Sequence, residues 1–149
     1  MNIDKQLYVI FNSTKENDFF KFINDELNMS IYKGYSSDKD FTVDLNDLSL
    51  PLYIFSADPR YKDFDIELLD DGNFCIRPFD CNINAYPFIR YERFDSTTRI
   101  FANTQSMTPE NKDLITKKFI NIDNWLKKNS CKCRKEGSLF CNVKIYEIN

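Results

Sequence analysis

The stretch YPFIRYERF, Tyr86–Phe94, is followed after Asp95-Ser96-Thr97 by TRIFAN, Thr98–Asn103, and the two read as extended segments joined by a short reversal around Asp95-Ser96. Aromatic and β-branched residues suit strands, and so short a connection makes the pair antiparallel. A period of two puts Phe88, Arg90, Glu92 and Phe94 of the first segment on one side and Ile89, Tyr91 and Arg93 on the other. Neither side is cleanly apolar.

Working outward, Asp65–Leu69 and Phe74–Arg77 flank Asp70-Asp71-Gly72-Asn73, a hairpin signature in which Asp-Gly supplies the backbone angles of a tight turn. Leu50–Phe55 is a buried strand with Pro51 at its start or on an edge, and Ala57-Asp58-Pro59-Arg60 turns the chain. Met29–Tyr35 alternates weakly and reads as a strand, and Ser36–Asp47 as a polar loop with a short strand at Phe41–Val43. Gln6–Asn12 is a first strand. Ser13-Thr14-Lys15-Glu16 has capping-box spacing and opens a helix whose apolar stripe is Phe19, Phe20, Ile23 and Leu27, ending near Asn28.

Downstream, Thr108-Pro109 starts a second helix, with threonine as cap and proline where no amide is needed. Ile115, Phe119, Ile122 and Leu126 carry its stripe to about Asn129, with Trp125 beside it. Cys131–Cys133 and Leu139–Ile148 form a terminal hairpin around Lys135-Glu136-Gly137. The expected fold is therefore α+β: one domain over 1–149, a single twisted, mainly antiparallel sheet of about six or seven strands, and both helices on one face. The other face is expected to be solvated or used for binding.

The composition fits a globular chain: 149 residues, 42% hydrophobic and 15% aromatic, with three Gly and five Pro. That excludes collagen-like, low-complexity and disordered classes. Abundant Asn, Lys, Ile and Phe with little Ala match AT-rich codons, so a low-GC bacterium, a phage or another mobile element is the expected source. The apolar run Leu7–Phe11 is too short for a signal sequence, and no run reaches the roughly 20 residues that span a bilayer. A cytoplasmic location is expected, and an odd cysteine count of five agrees with it.

The net charge of −3 hides a split: residues 1–110 carry 11 basic and 19 acidic groups, residues 111–149 carry 9 and 4. Within 38–71 ten carboxylates face three cations, a distribution that repels nucleic acid and steers a basic partner. The basic run Lys127, Lys128, Lys132, Arg134 and Lys135 is expected to be a solvated helix end complementing the dipole.

Between Lys62 and Lys112 no lysine occurs, yet four of the six arginines, Arg77, Arg90, Arg93 and Arg99, lie there. A guanidinium fork binds carboxylate or phosphate bidentately. The block therefore reads either as an anion-binding surface with Tyr91 available for stacking, or as cross-strand pairing with Glu92, Asp80 and Asp95. Asp63, Asp65 and Glu67 alternate on one strand face, followed by Asp70 and Asp71, a carboxylate set that would suit a magnesium-dependent nuclease. Cys131, Cys133 and Cys141, with Cys75 or Cys81, would supply four thiolates to zinc, but the spacing is not that of a zinc ribbon. The chain has no histidine, which removes Ser-His-Asp and Cys-His catalysis. No cofactor is expected.

These features favour action by binding. The leading expectation is a protein that docks on another macromolecule with a basic surface and blocks or modulates it, of the toxin-immunity or phage anti-defence kind. The alternatives are recognition of a nucleotide or other small anion by the arginine block, and the carboxylate nuclease.

Overall fold

The computed structural model describes residues 4–12, 14–36, 41–42, 52–57, 64–68, 74–78, 86–94, 96–138 and 141–148. Among the described residues, ten strands and two helices follow in the order β1 (Lys5–Phe11), α1 (Lys15–Asp25), β2 (Ser30–Ser36), β3 (Phe41–Thr42), β4 (Leu52–Ser56), β5 (Phe64–Leu68), β6 (Phe74–Pro78), β7 (Phe88–Phe94), β8 (Thr97–Ala102), α2 (Pro109–Asn129), β9 (Lys132–Ser138) and β10 (Cys141–Ile148).

Seven of these strands build the main sheet in the order β2-β4-β7-β8-β1-β10-β9. The far end of β2 pairs with β3, and β3-β6-β5 extend the ladder from there. Every described pairing is antiparallel except that of β1 with β10, where Tyr8 lies beside Ile145 and Phe11 beside Ile148. The expected α+β architecture, a mixed, mostly antiparallel sheet with both helices on one face, is what the chain adopts.

Following strand directions through the ladder, β1 and β2 run the same way with β8, β7 and β4 between them. Helix α1 makes that crossover. Helix α2 makes a second one, from β8 over β1 and β10 to β9. Strands that run parallel cannot be joined by a tight turn and need a connection of this length. Both helices bury their stripes in one cluster, Phe19 and Ile23 of α1 and Ile115, Phe119, Ile122 and Leu126 of α2, against Val9, Phe55, Ile89, Tyr91, Ile100 and Ile148.

The sequence signals hold at α2: Thr108 accepts from the Asn111 amide at 3.2 Å and Pro109 opens the helix. At α1 they need correction. The N-cap is Thr14, which makes no side-chain capping bond, and Glu16 reaches β7 instead of turning back on its own helix. The helix stops at Asp25, and Asn28 takes a positive φ of 53° while the Met29 amide bonds back to the Ile23 carbonyl at 3.1 Å. Asparagine tolerates that left-handed geometry better than any other residue with a Cβ. The terminal hairpin also differs: β9 runs straight through Lys135-Glu136-Gly137, and Ser138 pairs with Cys141. Seven successive cross-strand pairs outweigh the turn propensity of one glycine.

The second sheet face, expected to be solvated or used for binding, is not solvated at its centre. Ile54, Ser56, Phe88, Phe101 and Ile145 lie on the side away from the helices, and none is more than 5% exposed. Arg90 of β7 lies between Ile54 of β4 and Phe101 of β8 in the register, so this face carries a charged side chain among its buried apolar ones.

At the end of β8 the chain is anchored to Asp4. Its carboxylate accepts from the Thr104 amide at 2.8 Å and the Thr104 hydroxyl at 2.5 Å, and Thr104 is fully buried. Burial would raise the Asp4 pKa, but the two Thr104 bonds and the Lys5 charge outweigh it and hold the group below its ordinary value of 3.8. A depressed folded-state pKa contributes stability above the unfolded value that is lost as pH falls through the folded one. Asp4→Asn is accordingly expected to lower stability by about 1 kcal/mol at neutral pH, a gap that narrows in acid as pH falls through the depressed folded-state pKa. Urea unfolding of both proteins at neutral and acid pH measures it, and a gap independent of pH would refute the assignment.

Candidate functional site

The lysine-free window splits across the sheet as its period requires. Arg93 and Tyr91 face the helices, whereas Arg90 and Arg99 lie on the opposite side, Arg90 opposite Phe101 and Glu92 opposite Arg99. These arginines therefore form no single grip.

On the helix side, Arg93 Nε donates to Glu16 Oε2 at 2.9 Å, and its second terminal nitrogen and the Tyr91 hydroxyl also donate to the Glu16 carboxylate. Arg93 lies 5.1 Å over the Tyr53 ring. Burial pulls the Arg93 guanidinium down, yet the Glu16 hydrogen bond and the neighbouring charges raise it overall. Burial, then the Glu16 bond, pushes Tyr91 far up, so its hydroxyl stays a donor. Tyr91 is fully buried, packed among Phe19, Phe55 and Tyr53, and the expected role in stacking on a ligand does not fit that position. A cavity of about 230 Å³ lies beside this group, bordered by Asn12, Glu16, Arg93, Ser96 and Thr98. An anion entering it would meet the Glu16 carboxylate together with the arginine.

On the other side, Arg99 pairs with Glu92 at 3.4 Å and lies 4.0 Å over Phe101, with Arg90 5.7 Å from the same ring. Burial, reinforced by Arg99, lowers the Arg90 pKa against the opposing pull of Glu92. The cross-strand pairing with Glu92 anticipated from the sequence is present. Asp80 and Asp95 lie outside the described residues.

Of the carboxylate set, Asp63, Asp70 and Asp71 lie outside the described residues, while Asp65 sits on β5 with Arg77 of β6 as register partner. Cys131 and Cys133 are exposed free thiols. Cys133 pairs with Tyr146, whereas Cys141 pairs with Ser138, five residues further along β9. At about 3.3 Å per residue that is on the order of 16 Å, too far for one metal ion. Cys75 pairs with Glu67 and Thr42 on the β3-β6-β5 extension, and Cys81 lies outside the described residues. Among the described residues no group of three or more metal-ligating side chains occurs.

Sequence reading missed a third place, between the helices. The half-buried rings of Phe22 and Trp125 stack at 5.5 Å with an interplanar angle of 22°, and Trp125 also tilts against Phe19 at 5.3 Å. Around them a groove of about 450 Å³ is rimmed by Asp18, Asp25 and Glu26, with Lys21 the cation among its lining residues. The signal was present: Phe22 lies off the apolar stripe of α1 and Trp125 off that of α2, and large apolar residues beside a stripe mark a widened contact.

No helix among the described residues is long and apolar enough to cross a membrane. No protein-family model, no curated protein and no solved structure matches this chain, so its function has to be read from its own geometry.

Proposed function

We propose that the protein acts by binding: a cytoplasmic protein that docks through acidic surface on a basic macromolecular partner and blocks or modulates it, in the manner of a toxin-immunity or phage anti-defence inhibitor. The observation that carries this reading is the groove between α1 and α2, where three carboxylates and two aromatic rings line one concave surface against a single lysine. Aromatic anchors inside a charged rim are the features that dominate protein interfaces, the rings for affinity and the charges for encounter rate. The acidic excess of residues 1–110 adds to the attraction for a basic partner, although most of the expected acidic face at 38–71 lies outside the described residues.

Recognition of a small anion by the arginine block gains less support. Arg93 already donates to Glu16 and Arg99 to Glu92, so each brings a carboxylate of its own to any incoming anion. Affinity purification of the tagged protein from its native host is expected to yield a stoichiometric basic protein partner, released by raising salt as screening weakens the charge attraction. Recovery of the protein alone would refute the docking role.

A further inference from the structure

The α1/α2 groove has an electrostatic peculiarity. Asp25 and Glu26 stand at the C-terminal end of α1, and the last turn of that helix holds no basic residue. The C-terminus of a helix carries the negative end of its dipole, so carboxylates there are unfavourable and cations favourable, by about 0.3–1 kcal/mol each. The chain already brings one cation to this end: Lys118 of α2 donates to the Leu27 carbonyl at 2.5 Å. Among the described residues, the carboxylates on the groove side make no ion pair as close, although Lys21 lines the same groove. Asp18 meets Lys15 only at 3.9 Å with both side chains largely exposed, and Asp25 accepts from the neutral Asn24 amide at 3.1 Å.

Resting on the docking reading above, we propose that this groove receives an arginine side chain of the partner, with the guanidinium lying against Phe22 and Trp125 and its donors directed to Asp25 and Glu26. The chemistry selects arginine over lysine. A planar, weakly hydrated guanidinium stacks on aromatic rings while offering several donors in a fork, whereas an ammonium is strongly hydrated and presents a point charge. Charge complementarity excludes nucleic acid and phosphate from the same surface. The bound guanidinium also offsets the unfavourable charges at the end of α1, so binding should tighten that helix end.

Trp125 is the only tryptophan in the chain, and its emission reports on the groove directly. Titration of the full-length protein with a blocked Gly-Arg-Arg-Gly peptide is expected to give a saturable change in that emission. The lysine counterpart should bind more weakly, and the citrulline counterpart, isosteric but uncharged, should have no effect. In Asp25→Lys/Glu26→Lys, both at exposed positions, the arginine peptide should bind at least about tenfold more weakly. Lys21→Glu, which removes the lining cation, should bind it more tightly. No emission change, an equal response to citrulline, or an affinity unaltered by the charge reversal would each overturn the proposal. The arm also separates it from the docking reading: peptide binding with no cellular partner keeps the groove, while a partner held as well by the charge-reversed protein as by the wild type overturns it.

Discussion

Phe19→Ala is expected to destabilise the protein by about 3–5 kcal/mol, the range for removing a buried aromatic ring and leaving a cavity. Phe19 is fully buried and stands at the junction of every layer. Its ring lies 5.3 Å from Phe11 of β1, 6.0 Å from Phe55 of β4, 5.8 Å from Tyr91 of β7 and 5.3 Å from Trp125 of α2. No single neighbour can relax into the space without leaving the others. Set against a typical total stability of about 5–15 kcal/mol, this loss would put the variant near the edge of folding. Phe19→Leu should avoid much of that loss, since volume matters more than aromaticity in a cluster of tilted rings. Phe20→Ala should cost less: Phe20 is only half-buried and packs mainly on Tyr53 and Tyr91, at 4.9 and 5.1 Å. Urea denaturation of the three variants tests the order, and a Phe19→Ala cost below about 1 kcal/mol would mean that α1 is not seated on the sheet as described.

That packing explains which parts of the fold were legible in the sequence. The helices were readable because Phe19, Ile23, Ile115, Phe119, Ile122 and Leu126 recur at helical spacing, and the β5-β6 and β7-β8 hairpins because their connections are short. The two crossovers were not. Nothing local distinguishes a β1 that pairs with β8 on one side and with β10 on the other from one that pairs with its sequence neighbours, because that choice is made by where the helices carry the chain. The buried centre of the second sheet face was hidden for a related reason: Phe88 and Phe101 share their strand faces with Arg90 and Arg99, and such a mixed face looks solvated until the register sets Phe88 beside Ser56 and Arg90 between Ile54 and Phe101.

The candidate site followed the same division. Alternation correctly separated Arg90 from Arg93, but their partners lie at very different sequence distances. Glu92 is seven residues from Arg99 and could be named in advance; Glu16 is 77 residues from Arg93 and could not. Glu16 looked committed to its own helix because it stands three residues after a serine. The groove escaped because its two rings come from different helices, and each alone is an ordinary aromatic beside a stripe.

Glu16→Ala is the second large effect expected, about 2–4 kcal/mol, and its size turns on burial. The side chains of Arg93 and Glu16 retain 32% and 22% of their exposure, so the pair lies between exposed ion pairs, worth about 0–1 kcal/mol, and buried ones, whose breaking costs about 3–5 kcal/mol. The Tyr91 hydroxyl tips the balance upward. It sits on a fully buried residue, and losing its charged acceptor leaves it, among the described residues, only the Thr98 hydroxyl, a loss of about 1–3 kcal/mol. Arg93→Ala removes a cation but leaves Glu16 bonded to Tyr91, so it should cost less than Glu16→Ala. The double variant Glu16→Ala/Arg93→Ala should then fall short of the sum of the single effects by about 1–3 kcal/mol, as expected of groups in one network. Tyr91→Phe should cost less in the Glu16→Ala background than in the wild type, because there the hydroxyl has already lost its charged acceptor and keeps Thr98 as its partner. Chemical denaturation of the set reads all these differences. Additive single effects would show that Arg93 and Glu16 are independent in solution, which would return the arginine to the surface and restore it as a site for an external anion.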